Sequence, residues 1–178
     1  MFIIDPIDGT RAFIAGEAHF AHSLAVAEGG RVTAGVVYLP ALDRLYCAAA
    51  GGVALCDGKP MAVSTCTRLD QSTALTTAPS LDPQHWPGGV PPVRRTFRTS
   101  LAWRLCLVAE GRQDALITMR SAWEWDIAAG ALIAERAGAH VTDAEGAALR
   151  FNRPMPQAQG VLAAPPVLHS ALMTHRRG

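Results

Sequence analysis

Ile3-Ile4-Asp5-Pro6-Ile7-Asp8-Gly9-Thr10-Arg11-Ala12-Phe13 lies at the start of the chain. Met1 to Ile4 is apolar and β-branched, and Asp5 to Thr10 supplies turn residues, so the pattern predicts a strand running straight into a loop. Two carboxylates three residues apart, held by a proline and released by a glycine, can converge on one side of a tight turn. Magnesium favours hard oxygen ligands in octahedral geometry, and Asp5, Asp8 and the Ile7 carbonyl form a sensible partial shell for it. If a helix begins just beyond, the backbone N–H groups of Gly9 and Thr10 face an anion. Taken bare, Asp-Pro-x-Asp-Gly is also a common surface turn.

Working outward, residues 22–55 hold extended runs at His22–Ala27, Arg31–Tyr38, Arg44–Ala49 and Gly52–Leu55, broken by glycines and Pro40. They predict an antiparallel meander. Residues 64–78 are ambiguous, and the proline-rich stretch from Pro79 to Pro92 reads as a loop or connection. Beyond it the pattern alternates: helix 100–110, strand 114–118, helix 127–137, strands 140–142 and 160–164, helix 166–175. Ser100 is a natural cap for the first of these helices, and Gly111 ends it. The expected organisation is a lobe over 1–92, with the acidic motif and an antiparallel sheet, and a C-terminal α/β lobe over 93–178.

With 49% hydrophobic and 17% charged residues in 178, the chain can bury a substantial core. A net charge of +1, with paired arginines only at Arg94-Arg95 and Arg176-Arg177, argues against a nucleic-acid polymer as partner. No apolar run reaches the roughly 18 to 20 residues of a membrane span, and no signal peptide is recognisable, so a cytoplasmic protein without a membrane partner is expected. Cys47, Cys56, Cys66 and Cys106 contain no C-x-x-C pair, which predicts buried free thiols.

A third carboxylate stands in Trp125-Asp126-Ile-Ala-Ala-Gly130, just before a helix whose first turn is made of small residues. Asp126 has two readings here, helix N-cap or ligand. His19 and His22, three apart on an extended segment, point to opposite faces and make a poor metal pair. Trp123 and Trp125 either pack or offer an aromatic surface to a base.

The segment from Asp5 to Phe13 resembles the first signature of the inositol monophosphatase superfamily. Trp125 to Gly130, followed eight residues later by Gly138 after Ala137, is similar to the second. Leu107-Val-Ala-Glu-Gly111 and Val141-Thr-Asp143 also look like that family. The resemblance implies an α/β (α+β layered) fold of alternating helix and sheet layers, and a Mg²⁺-dependent phosphomonoester hydrolase that is lithium-sensitive and homodimeric. It implies that Asp5 bridges two metals, that the Ile7 carbonyl binds the first, and that Asp8 and Asp126 complete the second. Gly9 and Thr10 would hold phosphate oxygens through backbone N–H groups, with the Thr10 hydroxyl orienting the attacking water.

The family also carries two helices, the start of the sheet and a glycine-glutamate-glutamate motif ahead of this strand, where the chain has four residues. Neither Glu17 nor Glu28 matches that motif. A truncated chain lacking the N-terminal helices is therefore expected to expose apolar surface or leave a strand edge open.

For the small phosphorylated substrate, Arg11 and the Leu107–Gly111 stretch look like the 3'(2'),5'-bisphosphate nucleotidase branch. Met119, seven before Asp126, stands where inositol monophosphatases carry a glutamate that contacts inositol hydroxyls. Arg120 beside it suits an anionic ligand. The alternatives are a histidinol-phosphate or inositol-1-phosphate phosphatase, or, in another class, an inactive metal- or phosphate-binding remnant or dimerisation partner.

Overall fold

A computed structural model describes residues 1–178. The first sheet contains β1 (Phe2–Asp8), β2 (Ala21–Glu28), β3 (Arg31–Leu39), β4 (Arg44–Ala49), β5 (Leu55–Cys56) and β6 (Lys59–Pro60), antiparallel in that order, with the short helix α1 (Thr10–Ile14) after β1. The meander is as expected, except that the run predicted at Gly52–Leu55 pairs only at its end, as two-residue β5. The second sheet has the order β11-β13-β9-β7-β8, comprising β7 (Thr73–Thr76), β8 (Arg94–Thr96), β9 (Ala115–Thr118), β11 (His140–Thr142) and β13 (Val161–Ala164). A two-stranded ribbon joins β10 (Ala122–Trp123) to β12 (Gln157–Ala158). The long helices are α2 (Leu101–Ala109), α3 (Glu124–Arg136) and α4 (Pro166–Arg177). None is long and apolar enough to cross a membrane.

The elements stack as sheet, helix pair, sheet, helix, because each inner element is apolar on two sides. β13 shows it residue by residue: Val161 and Ala163 join the large core with α2 and α3, while Leu162 and Ala164 face the smaller cluster under α4. In β9, Leu116 takes the first side, and Ala115 and Ile117 take the second. β7 is only four residues, Thr73-Ala-Leu-Thr76, with Ala74 and Leu75 buried on opposite faces and threonines at both ends. It shows no alternation, which is why periodicity left 64–78 ambiguous. β7 is in fact the strand between β8 and β9, parallel to both. The second sheet thus draws strands from both sides of residue 92, and the large core contains residues of both lobes.

Between the sheets, α3 lies on the first sheet and α2 lies on α3. Gly130 makes that approach possible: a Cβ there would sit 2.8 Å from both Cβ and Cδ1 of Leu105 and 3.1 Å from the Ala102 carbonyl oxygen. At the far end of α2, half-buried Glu110 accepts from Arg44 and from the Tyr46 hydroxyl at 3.1 Å, tying the helix to β4. The Leu107–Gly111 stretch therefore anchors α2 to the first sheet.

The outer face of the first sheet is apolar and open. Phe2 is 73% exposed and Ile4 51%, Leu24 lies directly opposite Ile4, and β1 is the sheet edge. All four cysteines are free, but only Cys56 and Cys106 are buried; Cys47 and Cys66 are half-buried, the first on the outer face opposite Val36.

Candidate metal centre

The strand does not stop at Ile4, as the turn residues suggested, but continues through Pro6 to Asp8. Asp5 pairs with Ser23 and Asp8 with Ala21, so β1 advances three residues while β2 advances two. In a regular strand, residues three apart point to opposite faces. The extra residue of this bulge puts Asp5 and Asp8 on the same face. Asp5 Oδ1 accepts the Ile7 N–H at 2.9 Å and stabilises the distortion. Pro6 is tolerated because β1 is an edge strand with a bulge.

The third carboxylate arrives from α3. That helix begins at Glu124, with Trp123 as an N-cap that makes no side-chain bond, so Asp126 is not the cap but lies in the first turn. Ligand oxygens of Asp5, Asp8 and Asp126 all fall within 4.8 Å of one another. No glutamate joins them: Glu17 and Glu28 are exposed elsewhere.

Asp8 is the buried member. Its Oδ2 accepts from Ser100 Oγ at 2.6 Å and from the Ala102 N–H at 2.7 Å, which leaves Oδ1 without a hydrogen bond. Asp8 therefore lies at the N-terminus of α2, as Asp126 lies at that of α3, and both helix dipoles favour negative charge there. Even so, burial pushes Asp8 up to about 6, against the pull of Ser100 and Ala102 and with a further push from Asp5. Asp126 rises to about 7, through burial first and then repulsion from Asp8 and Asp5. A cluster of hard oxygens that resists carrying its own charge is the donor set a divalent cation would relieve.

The neighbouring groups suit an anion. Gly9 adopts φ 87°, and a Cβ there would meet the His19 carbonyl oxygen at 3.0 Å, so the turn into α1 requires glycine. The N–H groups of Gly9 and Thr10 have no partner within the chain. Thr10 Oγ1 donates to the Ile7 carbonyl at 2.9 Å, leaving its own lone pairs available. Arg11 is exposed on α1. Arg120 is exposed beside a cavity of about 460 Å³ lined also by Thr77, Ser80, His85 and Met119. Trp123 and Trp125 stack on each other, with ring centroids 4.6 Å apart and planes at 8°. His19 instead packs against Trp103, and the His22 ring bonds the Pro6 carbonyl.

The inositol monophosphatase family model matches residues 1–178. This chain belongs to the inositol monophosphatase family. It is 37% identical over 160 residues to an inositol-1-monophosphatase of Rhizobium meliloti (strain 1021), and 36% over 156 residues to a fructose-1,6-bisphosphatase/inositol-1-monophosphatase of Thermotoga maritima. Each match covers 82% of this chain and 57% of the relative. The chain thus spans a little over half the length of these inositol monophosphatase relatives. Among solved structures, an inositol monophosphatase of Thermotoga maritima is 31% identical with a TM-score of 0.83, over 97% of this chain and 66% of that one. The extragenic suppressor protein SuhB of Bartonella henselae is also 31% identical, with a TM-score of 0.81, over 99% and 72% respectively.

Two contributors were invisible as site residues in the sequence. Ser100 is recognisable as a helix cap, but its second bond reaches Asp8, 92 positions earlier. Arg104 is buried and coupled electrostatically to Asp8, Asp126 and Arg120. No local pattern signals either contact.

The carboxylates predict a pH dependence of stability. Asp8 and Asp126 are raised in the fold, so their contribution is full below the unfolded carboxylate range near 4 and is lost as pH rises through about 6 and 7. In EDTA, the melting temperature is expected to fall between about pH 5 and pH 8, and saturating Mg²⁺ to restore it. His169, lowered to about 4 chiefly by burial, acts in the opposite sense below pH 6.5. The carboxylate part is therefore read as the difference between the wild type and Asp126→Asn, which should converge near pH 4.

Proposed function

We propose that this chain carries the reaction centre of a Mg²⁺-dependent phosphomonoester hydrolase acting on a 3'(2'),5'-bisphosphate nucleotide. The observation that supports the hydrolase reading is the convergence of Asp5, Asp8 and Asp126 within 4.8 Å, beside the partnerless N–H groups of Gly9 and Thr10. In this reading the three carboxylates and the Ile7 carbonyl hold Mg²⁺, which supplies Lewis-acid charge against the phosphoryl oxygens. The Gly9 and Thr10 N–H groups bind and orient the phosphate. Thr10 Oγ1, its proton committed to the Ile7 carbonyl, accepts a hydrogen bond from the attacking water and aims it at phosphorus.

The substrate reading rests on charge. Met119 packs partly buried against the core under α4, so its position offers no acceptor to a polyol hydroxyl. Arg120 and His85 face the neighbouring cavity and suit a second anionic group, with Arg11 as a further cation. The names of the inositol monophosphatase relatives favour inositol 1-phosphate as the second reading. We further infer a homodimer, a cytoplasmic location and inhibition by lithium, on the family resemblance.

Phosphate release from adenosine 3',5'-bisphosphate, inositol 1-phosphate and histidinol phosphate, with Mg²⁺ and with or without Li⁺, tests the proposal. Adenosine bisphosphate is expected to turn over fastest and to be inhibited by Li⁺. Preference for inositol 1-phosphate would reassign the substrate. A folded, Mg²⁺-binding chain without turnover would leave a binding remnant.

A further inference from the structure

Arg104 is 4% exposed, yet it takes part in none of the chain's salt bridges. A buried guanidinium without a carboxylate partner is costly unless hydrogen bonds hold it in one geometry. Its bonds go to the backbone of the segment leading into α2. Nε donates to the Arg98 carbonyl at 2.5 Å and Nη2 to the Thr99 carbonyl at 3.0 Å, with the Phe97 ring centroid 4.5 Å from the guanidinium carbon. The next residue is Ser100. Its hydroxyl accepts the Trp103 N–H at 3.0 Å and donates to Asp8 Oδ2.

We propose that Arg104 is a positioning residue for the metal centre. By forking across two successive carbonyls it fixes the backbone on which Ser100 sits, so that the Ser100 hydroxyl and the Ala102 N–H meet one oxygen of Asp8 and hold the other for the cation. This role rests on the reading of Asp8 as a metal ligand. The charged groups around the guanidinium are Asp8 and Asp126, which attract it, and Arg120, which repels it. A role through charge alone makes a different prediction from a clamp. If Arg104 only competed with the cation electrostatically, Arg104→Met would tighten Mg²⁺ binding and Arg104→Lys would leave it unchanged. A clamp is lost in both variants, because the lysine ammonium lacks the planar fork.

The test is the Mg²⁺-induced rise in melting temperature of the 178-residue chain, titrated without substrate, with circular dichroism confirming the fold of each variant. Arg104→Met, Arg104→Lys and Ser100→Ala are each expected to raise the half-saturating Mg²⁺ concentration about tenfold, the scale of groups that orient metal ligands. The double variant Arg104→Met/Ser100→Ala should be no worse than Ser100→Ala alone, since both substitutions remove one linked arrangement. Additive effects, tighter binding in Arg104→Met, or an unchanged Mg²⁺ midpoint would overturn the positioning role. If Arg104→Met does not fold, Arg104→Lys takes its place in the cycle. A wild type that shows no Mg²⁺ response overturns the metal reading and this role with it, whereas a normal wild-type response retained in the Arg104 variants overturns the role alone.

Discussion

Asp126→Asn is expected to have opposite effects on stability with and without metal, and to slow phosphate release by on the order of 10²- to 10³-fold, the several kcal/mol that metal charge contributes to such a reaction. Without Mg²⁺ the substitution removes a carboxylate that burial, Asp8 and Asp5 all oppose, so the variant should melt above the wild type at pH 8 in EDTA. With saturating Mg²⁺ the order should reverse, because the asparagine offers a neutral ligand and the binding contribution shrinks. Thermal melts of both proteins at pH 8, each with EDTA and with Mg²⁺, check this. Full activity in the variant, or an unchanged Mg²⁺ response, would remove Asp126 from the metal centre.

The second large effect concerns the contact between α2 and α3. Leu105 is fully buried there, and Leu105→Ala should cost about 2–5 kcal/mol. At about 2–4 °C per kcal/mol for a chain of this size, the melting temperature should fall by several degrees or more. Gly130→Ala adds volume instead of removing it. Its Cβ would press on Leu105 and on the Ala102 carbonyl, an overpacking cost of about 1–3 kcal/mol, against which the helix propensity of alanine returns about 1 kcal/mol. Because Ser100 caps α2 and Ala102 lies in its first turn, pushing α2 away from α3 should also weaken Mg²⁺ binding. Leu105→Ala, which leaves that spacing unforced, should affect Mg²⁺ binding less. Equal Mg²⁺ midpoints in the wild type and Gly130→Ala would separate helix spacing from the site.

Much of this was legible in the sequence where the signal is local. The β2–β3–β4 meander, the cap at Ser100 and the start of α4 follow from alternation, capping chemistry and proline, and the structure shows them as expected, with α4 running two residues further, to Arg177. β7 and the start of α3 were harder to read. A four-residue strand buried on both faces and flanked by threonines has no period, and Trp123, which makes no side-chain cap, hides a helix that starts three residues before Ile127. The acidic residues were recognisable, but the bulge that aligns Asp5 with Asp8 was not. It is a property of pairing with β2, and β1 alone does not encode its register. The contacts of Ser100 and Arg104 join segments far apart in sequence, and for that reason composition and spacing do not show them.

If the proposed cation binds, the separation of 118 residues from Asp8 to Asp126 would give it a mechanical role as well as a chemical one. A divalent ion held by β1 and by the first turn of α3 would close a loop that includes most of the chain, as a covalent cross-link does. Unlike a disulfide, such a clasp would need no oxidant and would open when the ion is withdrawn. The three carboxylates converge only once α3 has settled on the first sheet, so the ion would fasten the finished fold and would have little to grip in the unfolded chain. Availability of the ion would then set how long the assembled core stays shut.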